Sequence, residues 1–312
     1  MQMKMIWFVA GVSIVANGVL GYAVWNASNA QEALQERFPY LSKRIFANNQ
    51  NDVIINFIPL RQAMNEYIET QGGKVGAYFE YLPSGTSIGA NDKKEVRLAS
   101  LSKVPLAMSI FKKVELGKMS LDDTLVIKKE HLDDKFGTLW KKGEGSRLTI
   151  LEFVEHALQE SDNTAYNVLF DALTSKEVNE VYDGLDIPVI QEGNQILASP
   201  KNYSSIFRSL YLSSFLTEES SNRILDILSH TAFRDKIPAG IPEEVKIAHK
   251  IGVFQEQDLH ENTFIDCGIV YVPNRPYILC LFVQDTEEKV LEHMSIISKM
   301  VYGYIIRVKG GR

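Results

Sequence analysis

The sequence predicts an α/β protein of the α+β type with two lobes, in which an antiparallel sheet lies beside a helical lobe. Strand-like segments occur near both ends of the chain, at about 74–92 and 246–284. A helical period fills much of the region between them. Strands from both ends can share one sheet, and the helical middle then forms a second lobe. We expect a functional site in a cleft between the lobes.

The predicted helices follow from spacing and capping signals. A helical period begins near Asp52 and stops at "QGG". A second helix starts just after Ser100 and carries apolar residues at i, i+3, i+4 and i+7 from Val104. Helix-start signals recur further along the chain, at Thr149 with Glu152, at Ser199-Pro200 and at Thr217.

The predicted strands come in two groups. "KVGAYFEY", the turn "LPSG" and "TSIGAND" form a hairpin near the start. Three more strands are expected at about 246–254, 262–272 and 276–284. A last helix, from about Glu287 to Ile306, then packs beside the sheet.

Composition excludes some functions. The chain has 312 residues, of which 45% are hydrophobic and 23% charged, so it can bury a sizeable core. Its formal net charge is -6 and no Lys/Arg run exceeds two residues. Such a chain has no basic patch for following phosphates, and nucleic acid is not an expected partner. The sequence supports no metal or organic cofactor.

The N-terminal segment predicts export. "MIWFVAGVSIVANGVLGYAVW", residues 5–25, is uncharged and long enough to cross a bilayer. Lys4 precedes it, so residues 1–4 are expected in the cytoplasm and the rest outside. Residues 26–51 would be a juxtamembrane linker and residues 52–312 the main domain. The small residues of "ASNA", ending at Ala30, leave open a cleaved signal peptide and a secreted protein.

Two cysteines lie on the last strands. A hairpin about "PNRP" would place Cys267 and Cys280 on one face as diagonal neighbours. A disulfide then requires a bulge or a register shift, and two buried thiols are the alternative.

Ser-x-x-Lys occurs twice between residues 97 and 118. Ser109 and Lys112 lie within a periodic helix, and we interpret Ser109 as structural. Ser100 and Lys103 lie at the start of that helix, one turn apart and on one face. Ser100 is either a helix cap or a nucleophile. Lys103 can act as its base only if burial or a nearby cation lowers the lysine pKa.

Two further motifs favour the nucleophile. "ESDNTAYN" contains Ser161, Asp162 and Asn163, directly after a capped helix. "AHKIGVF" contains Lys250 and Gly252, in a predicted strand. Ser-x-x-Lys, Ser-Asp-Asn and Lys-x-Gly in this order form the motif set of serine β-lactamases and penicillin-binding proteins.

The chain from about 52 to 306 resembles the class A β-lactamase and DD-peptidase superfamily. The resemblance implies a sheet flanked by the first and last helices, beside a helical lobe. Together with the uncharged segment 5–25, it leads us to expect a single-pass protein of the bacterial cytoplasmic membrane with an extracytoplasmic domain, or a secreted protein if that segment is cleaved. Its partners would be a β-lactam or a peptidoglycan stem peptide, and the membrane through the N-terminal helix.

The resemblance implies four catalytic residues. Ser100 would attack an amide carbonyl and form an acyl-enzyme, and Lys103 would take its proton. Ser161 would relay a proton to the leaving nitrogen. Lys250 would lower the pKa of Lys103 and attract a substrate carboxylate.

The same resemblance implies a substrate-binding set. Asn163 would hold the substrate amide, and Ile251, Gly252 and Val253 would line the bound substrate. Gly252 would let the strand approach closely, so that the Val253 N–H joins that of Ser100 in an oxyanion hole. Asp162 would brace its own loop.

Two departures from the family pattern limit the expected activity. Ile251 replaces the usual threonine, whose hydroxyl would bind a carboxylate, and His260 is only a candidate substitute. No Glu-x-x-Leu-Asn motif lies between Asn163 and Pro200, and Glu192 is the nearest acidic stand-in for the missing deacylation base.

Three functions follow from these observations. The first is a serine hydrolase that opens a β-lactam or a D-Ala-D-Ala-like amide through an acyl-enzyme on Ser100. The second is a penicillin-binding DD-carboxypeptidase or transpeptidase that deacylates slowly. The third is a catalytically inert wall-binding module.

Overall fold

The computed structural model describes residues 25, 36–42, 55–193, 195–255 and 262–308. The predicted membrane segment, apart from Trp25, lies outside these residues, and so does His260. Within the described ranges, no helix combines the length and the apolar character that crossing a bilayer requires.

The helices agree with the sequence pattern. In chain order they are α1 (Ile58–Glu69), α2 (Lys103–Glu115), α3 (Ile150–Gln159), α4 (Asn163–Asp171), α5 (Ser175–Gly184), α6 (Pro200–Leu212), α7 (Glu218–Ser229) and α8 (Glu287–Arg307). Helix α1 starts six residues later than predicted, because Pro59 occupies its first turn, where a missing N–H is tolerated. The predicted capping box of Thr149 and Glu152 is present at the start of α3.

The strands form one large sheet and two small ones. In chain order they are β1 (Val75–Tyr81), β2 (Thr86–Ala90), β3 (Val96–Arg97), β4 (Thr124–Val126), β5 (Arg147–Thr149), β6 (Ile190–Glu192), β7 (Gln195–Ala198), β8 (Ile247–Gln255), β9 (Asn262–Val270) and β10 (Tyr277–Asp285). The large sheet is antiparallel, with the order β2-β1-β10-β9-β8. The predicted sheet built from both ends of the chain is therefore confirmed.

Two hydrophobic clusters cover the two faces of this sheet. On one face, α1 and α8 bury residues such as Met64 and Met294 against Phe79 and Leu281. On the other face, Ala248 and Ile265 join the core of the helical lobe. The sheet therefore lies between a helix pair and the helical lobe, which is the predicted fold class.

The cysteines correct one prediction. Tyr277 pairs with Val270, so Cys280 lies directly opposite Cys267 rather than diagonal to it. The turn that fixes this register includes a hydrogen bond from Arg275 N to Val272 O. No register shift is needed, and the two cysteines form a disulfide.

Residues 36–42 pack against the domain. Tyr40 and Leu41 are buried. The Tyr40 hydroxyl donates to Asp226 of α7, and Tyr271, which follows β9, donates to the carbonyl of Tyr40. The segment therefore contacts both the helical lobe and the sheet.

Candidate active site

Ser100 lies in a 3₁₀ turn, Ala99–Ser102, that leads directly into α2. Neither end of this turn uses a serine side chain as a cap. Ala99 has a φ of 46°, a left-handed conformation that is costly for alanine. The Lys103 Nζ donates a hydrogen bond to Ser100 Oγ at 2.9 Å. The predicted Ser-x-x-Lys pair is therefore in contact, and Ser100 does not cap the helix.

Burial controls the charge of Lys103. Its side chain is 3% exposed, and desolvation lowers its pKa to about 8, against the opposing charges of Asp162 and Asp133. The sequence-based expectation gave this role to the charge of Lys250. In the structure burial is the main cause, and the amine is neutral in a substantial fraction of molecules near pH 8.

Asn163 begins α4 and faces Lys103. The Asn163 Oδ1 accepts a hydrogen bond from Lys103 Nζ at 2.8 Å. The preceding Asp162 caps the helix, accepting from Ala165 N at 2.8 Å. Its other oxygen accepts from the N–H groups of Thr138 and Leu139 at 2.6 and 2.8 Å. Asp162 braces the loop, as predicted, and so holds Asn163 in place.

Ser161 and Lys250 meet behind the cleft wall. The Lys250 Nζ donates to Ser161 Oγ at 2.8 Å, and both residues are 1% exposed. Burial and the charge of Lys103 place the pKa of Lys250 well below its usual value, while Asp266 opposes the shift. Ser161 has a φ of 59°, another left-handed conformation at the site.

Gly252 allows β8 to pass close to the turn that carries Ser100. A Cβ atom at Gly252 would lie 2.7 Å from the carbonyl oxygen of Leu98 and 2.8 Å from Leu101 Cδ1. Only glycine fits this contact without displacing backbone. The glycine of the Lys-x-Gly motif is therefore required by packing.

An open cleft of about 720 Å³ lies beside these groups, lined by Ser100, Lys103, Asn163 and Val253 among others. The predicted substrate-binding Ile251 is buried in the strand and does not line the cleft. Glu192 does not line it either, and pairs instead with Arg97 at 3.4 Å.

Three residues of the cleft were not predicted from the sequence. The ring of Tyr166 lies under the Lys103 ammonium, 5.3 Å from it. Tyr166 is three residues after Asn163, so its place on the same helix face could have been deduced. Asp133 and Gln195 also line the cleft, from a loop and from β7, and no local motif indicates them.

These contacts permit one kind of chemistry. A hydroxyl beside a buried amine that is partly neutral at pH 8 can transfer its proton and act as a nucleophile. The second lysine, Lys250, and Ser161 form a separate hydrogen-bonded pair.

Comparison with known proteins agrees with this geometry. The model of the beta-lactamase enzyme family matches residues 59–305. A β-lactamase of Bacteroides uniformis is 24% identical over 242 residues, 70% of this chain and 82% of that protein. The extended-spectrum β-lactamase PER-1 of Pseudomonas aeruginosa is 21% identical over 229 residues, 67% of this chain and 74% of that protein.

A solved structure adds similarity in three dimensions. The L158E mutant of PBP-A, an acyl-enzyme complex with penicillin G, superimposes with a TM-score of 0.72 and 26% identity, covering 80% of this chain and 97% of that one. The resemblance inferred from the three motifs is thereby confirmed. The chain belongs to the beta-lactamase enzyme family.

Proposed function

We propose that the protein is a penicillin-reactive serine hydrolase that forms an acyl-enzyme on Ser100 and deacylates slowly. The observation that carries this proposal is the contact of Lys103 Nζ with Ser100 Oγ at 2.9 Å, made by a lysine whose pKa is about 8. The substrate class is a β-lactam or a D-Ala-D-Ala-like amide.

Acylation needs three proton transfers. Neutral Lys103 takes the Ser100 proton while Ser100 Oγ bonds to the carbonyl carbon, giving a tetrahedral oxyanion. The C–N bond then breaks. The leaving nitrogen receives a proton from Ser161 Oγ, which Lys250 re-protonates through the 2.8 Å contact between them. The N–H groups of Ser100 and Val253 would stabilise the oxyanion, and Lys250 would attract the substrate carboxylate.

Slow deacylation follows from the composition of the cleft. Hydrolysis of the ester needs a base that activates water on the acyl carbon. Among the described residues that line the cleft, Asp133 is the acidic one, and its carboxylate already accepts hydrogen bonds from Asn163 and Lys135. Glu192 lies outside this lining. This supports a DD-peptidase-like enzyme over a rapid β-lactamase.

The experiment uses the full-length chain in detergent and a fluorescent penicillin. Wild-type protein should label covalently and keep the label for many minutes, and Ser100→Ala should not label. Ser109→Ala is the matched control from the second Ser-x-x-Lys pair, because Ser109 Oγ bonds only to the carbonyls of Pro105 and Glu177 in the described contacts. It should label like wild type.

Each alternative gives a different result. Rapid loss of label with release of opened penicillin would indicate a β-lactamase, the activity that the names of the curated relatives suggest. No labelling of the wild type would indicate an inert wall-binding module. Equal labelling of Ser100→Ala would remove Ser100 from the reaction.

We also propose that residues 5–25 anchor the enzyme in the cytoplasmic membrane with its domain outside. The uncharged run and the preceding Lys4 support this placement. Carbonate extraction of membranes tests it, because an anchored chain stays in the pellet and a cleaved one is released.

A further inference from the structure

Asp133 is held firmly at the edge of the cleft. Its Oδ1 accepts hydrogen bonds from Asn163 Nδ2 at 3.1 Å and from Lys135 N at 2.9 Å. Its backbone N–H donates to Thr164 Oγ1 at 3.0 Å, and that hydroxyl donates back to the Asp133 carbonyl at 3.2 Å. Thr164 is fully buried, so the loop is fixed to α4 at this point.

The bond to Asp133 determines how the Asn163 amide is turned. The Asn163 Oδ1 faces Lys103 Nζ at 2.8 Å, while Nδ2 faces Asp133. A carboxamide turned the other way would place its N–H groups against the lysine, where donor would meet donor. The amide nitrogen carries two hydrogens. One is used by Asp133, and the second remains for a substrate carbonyl.

We propose, on the basis of the function proposed above, that Asp133 is a positioning residue for acyl transfer. Its carboxylate fixes Asn163 with the amide oxygen on Lys103 and one N–H directed to the substrate. Asp133 thus acts on Lys103, the base of the proposed reaction, through its hydrogen bond to Asn163.

Asp133 also acts on Lys103 by charge. Among the described residues, the groups that face Lys103 or act on it by charge come from every neighbouring element: Ser100, Asn163, Tyr166, Asp162, Asp133 and Lys250. The carboxylates of Asp162 and Asp133 raise the lysine pKa against the effect of burial. Removing the charge of Asp133 therefore lowers the pKa of Lys103. Because acylation needs the neutral amine, the acidic limb of its pH profile then moves to lower pH.

The test compares two substitutions with a neighbouring control in the full-length chain. Asp133→Asn keeps an oxygen that can accept from Asn163 but loses the charge, and Asp133→Ala loses both. Asp134→Asn is the matched control, because Asp134 is exposed and does not line the cleft. The second-order rate of labelling by fluorescent penicillin is measured on both sides of pH 8, and thermal melting checks the fold.

The expected results separate positioning from a merely structural role. Asp133→Asn should retain most of the maximal labelling rate, and the acidic limb of its pH profile should lie at lower pH than in the wild type. Asp133→Ala should show the same shift of the acidic limb and, in addition, a maximal rate about tenfold lower or more, since a hydrogen bond to a charged group is removed. Asp134→Asn should match wild type.

Other results overturn the proposal. Equal losses in both Asp133 variants with an unmoved pH profile would show a role in folding alone. Wild-type behaviour of Asp133→Ala would show that Asn163 needs no partner. An equal shift in Asp134→Asn would show a general effect of surface charge. Failure of the proposed function is distinguishable, because wild-type protein would then not label or Ser100→Ala would label.

Discussion

The Lys250 Nζ lies 2.8 Å from the hydroxyl oxygen of Ser161, although 89 residues separate them in the chain. Lys250 comes from β8 of the large sheet, and Ser161 comes from the loop before α4 in the helical lobe. The bond therefore joins the sheet to the helical lobe behind the cleft. In the proposed reaction, Lys250 would supply the proton that Ser161 passes to the leaving nitrogen.

The first prediction concerns pH. Because the pKa of Lys103 is about 8 and acylation needs the neutral amine, the labelling rate should rise with pH and level off above about 8. The rate rises with pH because the neutral, active form of Lys103 predominates above its pKa. The rate of penicillin labelling measured against pH tests this. A rate that falls through pH 8 would contradict Lys103 as the base.

The second prediction concerns the contact between β8 and the Ser100 turn. Gly252→Ala places a Cβ 2.7 Å from the Leu98 carbonyl oxygen, so the strand or the turn must move. We expect a loss of about 1–3 kcal/mol in the free energy of unfolding, as for an overpacked core, together with at least tenfold slower labelling. Denaturant unfolding and labelling kinetics measure the two effects.

Gly303→Ala is the matched control for this substitution. Its Cβ would meet only the flexible end of Arg307, at 3.1 Å, within helix α8. The change should raise stability by up to about 1 kcal/mol through helix propensity and leave labelling unchanged. Equal loss of labelling in both variants would show that packing at Gly252 is not special.

The third prediction concerns Asp162. Asp162→Ala removes the acceptor for three backbone N–H groups, those of Ala165, Thr138 and Leu139. The expected loss of stability is about 3 kcal/mol, from the missing helix cap and the unpaired donors. Asp162→Asn keeps one carbonyl oxygen and should lose less. Thermal melting of the three proteins decides, and an unchanged midpoint for Asp162→Ala would refute the bracing role.

The fourth prediction concerns the lifetime of the acyl-enzyme. Gln195 lines the cleft beside Ser100, so Gln195→Glu adds a carboxylate from which water could be activated. The half-life of the penicillin label should shorten, by about tenfold if the added base reaches the water. Glu192→Gln serves as the control, because Glu192 lies outside the cleft lining and bonds to Arg97. If Glu192→Gln lengthens the lifetime of the label instead, Glu192 is the deacylation base.

Much of the fold was predictable because its signals are local. The Thr149–Glu152 box, the proline after Ser199 and the apolar spacing from Val104 each depend on residues within two helical turns. The start of α1 was misplaced because the apolar pattern begins before Ile58, and residues 55–57 are not helical. The register of the cysteine hairpin was wrong because it depends on the turn, which the strand sequences do not determine.

The site was predictable only where it carries a motif. The predicted site residues belong to ordered patterns, and the structure joins Ser100, Lys103 and Asn163 by hydrogen bonds. It joins Ser161 and Lys250 in a second pair. Asp133 reaches the cleft from a loop. Gln195 reaches it from β7, which pairs with β3 in a small sheet. Such positions depend on how distant segments fold over one another. For the same reason, the sequence did not show that burial would outweigh Lys250 in setting the pKa of Lys103.

The position of Lys250 on β8, far along the chain from Ser100, has a consequence during synthesis. The ribosome synthesises Ser100 and Lys103, the nucleophile and base of the proposed reaction, long before it synthesises Lys250. A chain that ends before β8 therefore contains Ser100 and Lys103 but lacks Lys250. We expect such a shortened chain not to be labelled by penicillin. The amount of penicillin label would then measure how much of the protein has been synthesised beyond β8 and folded.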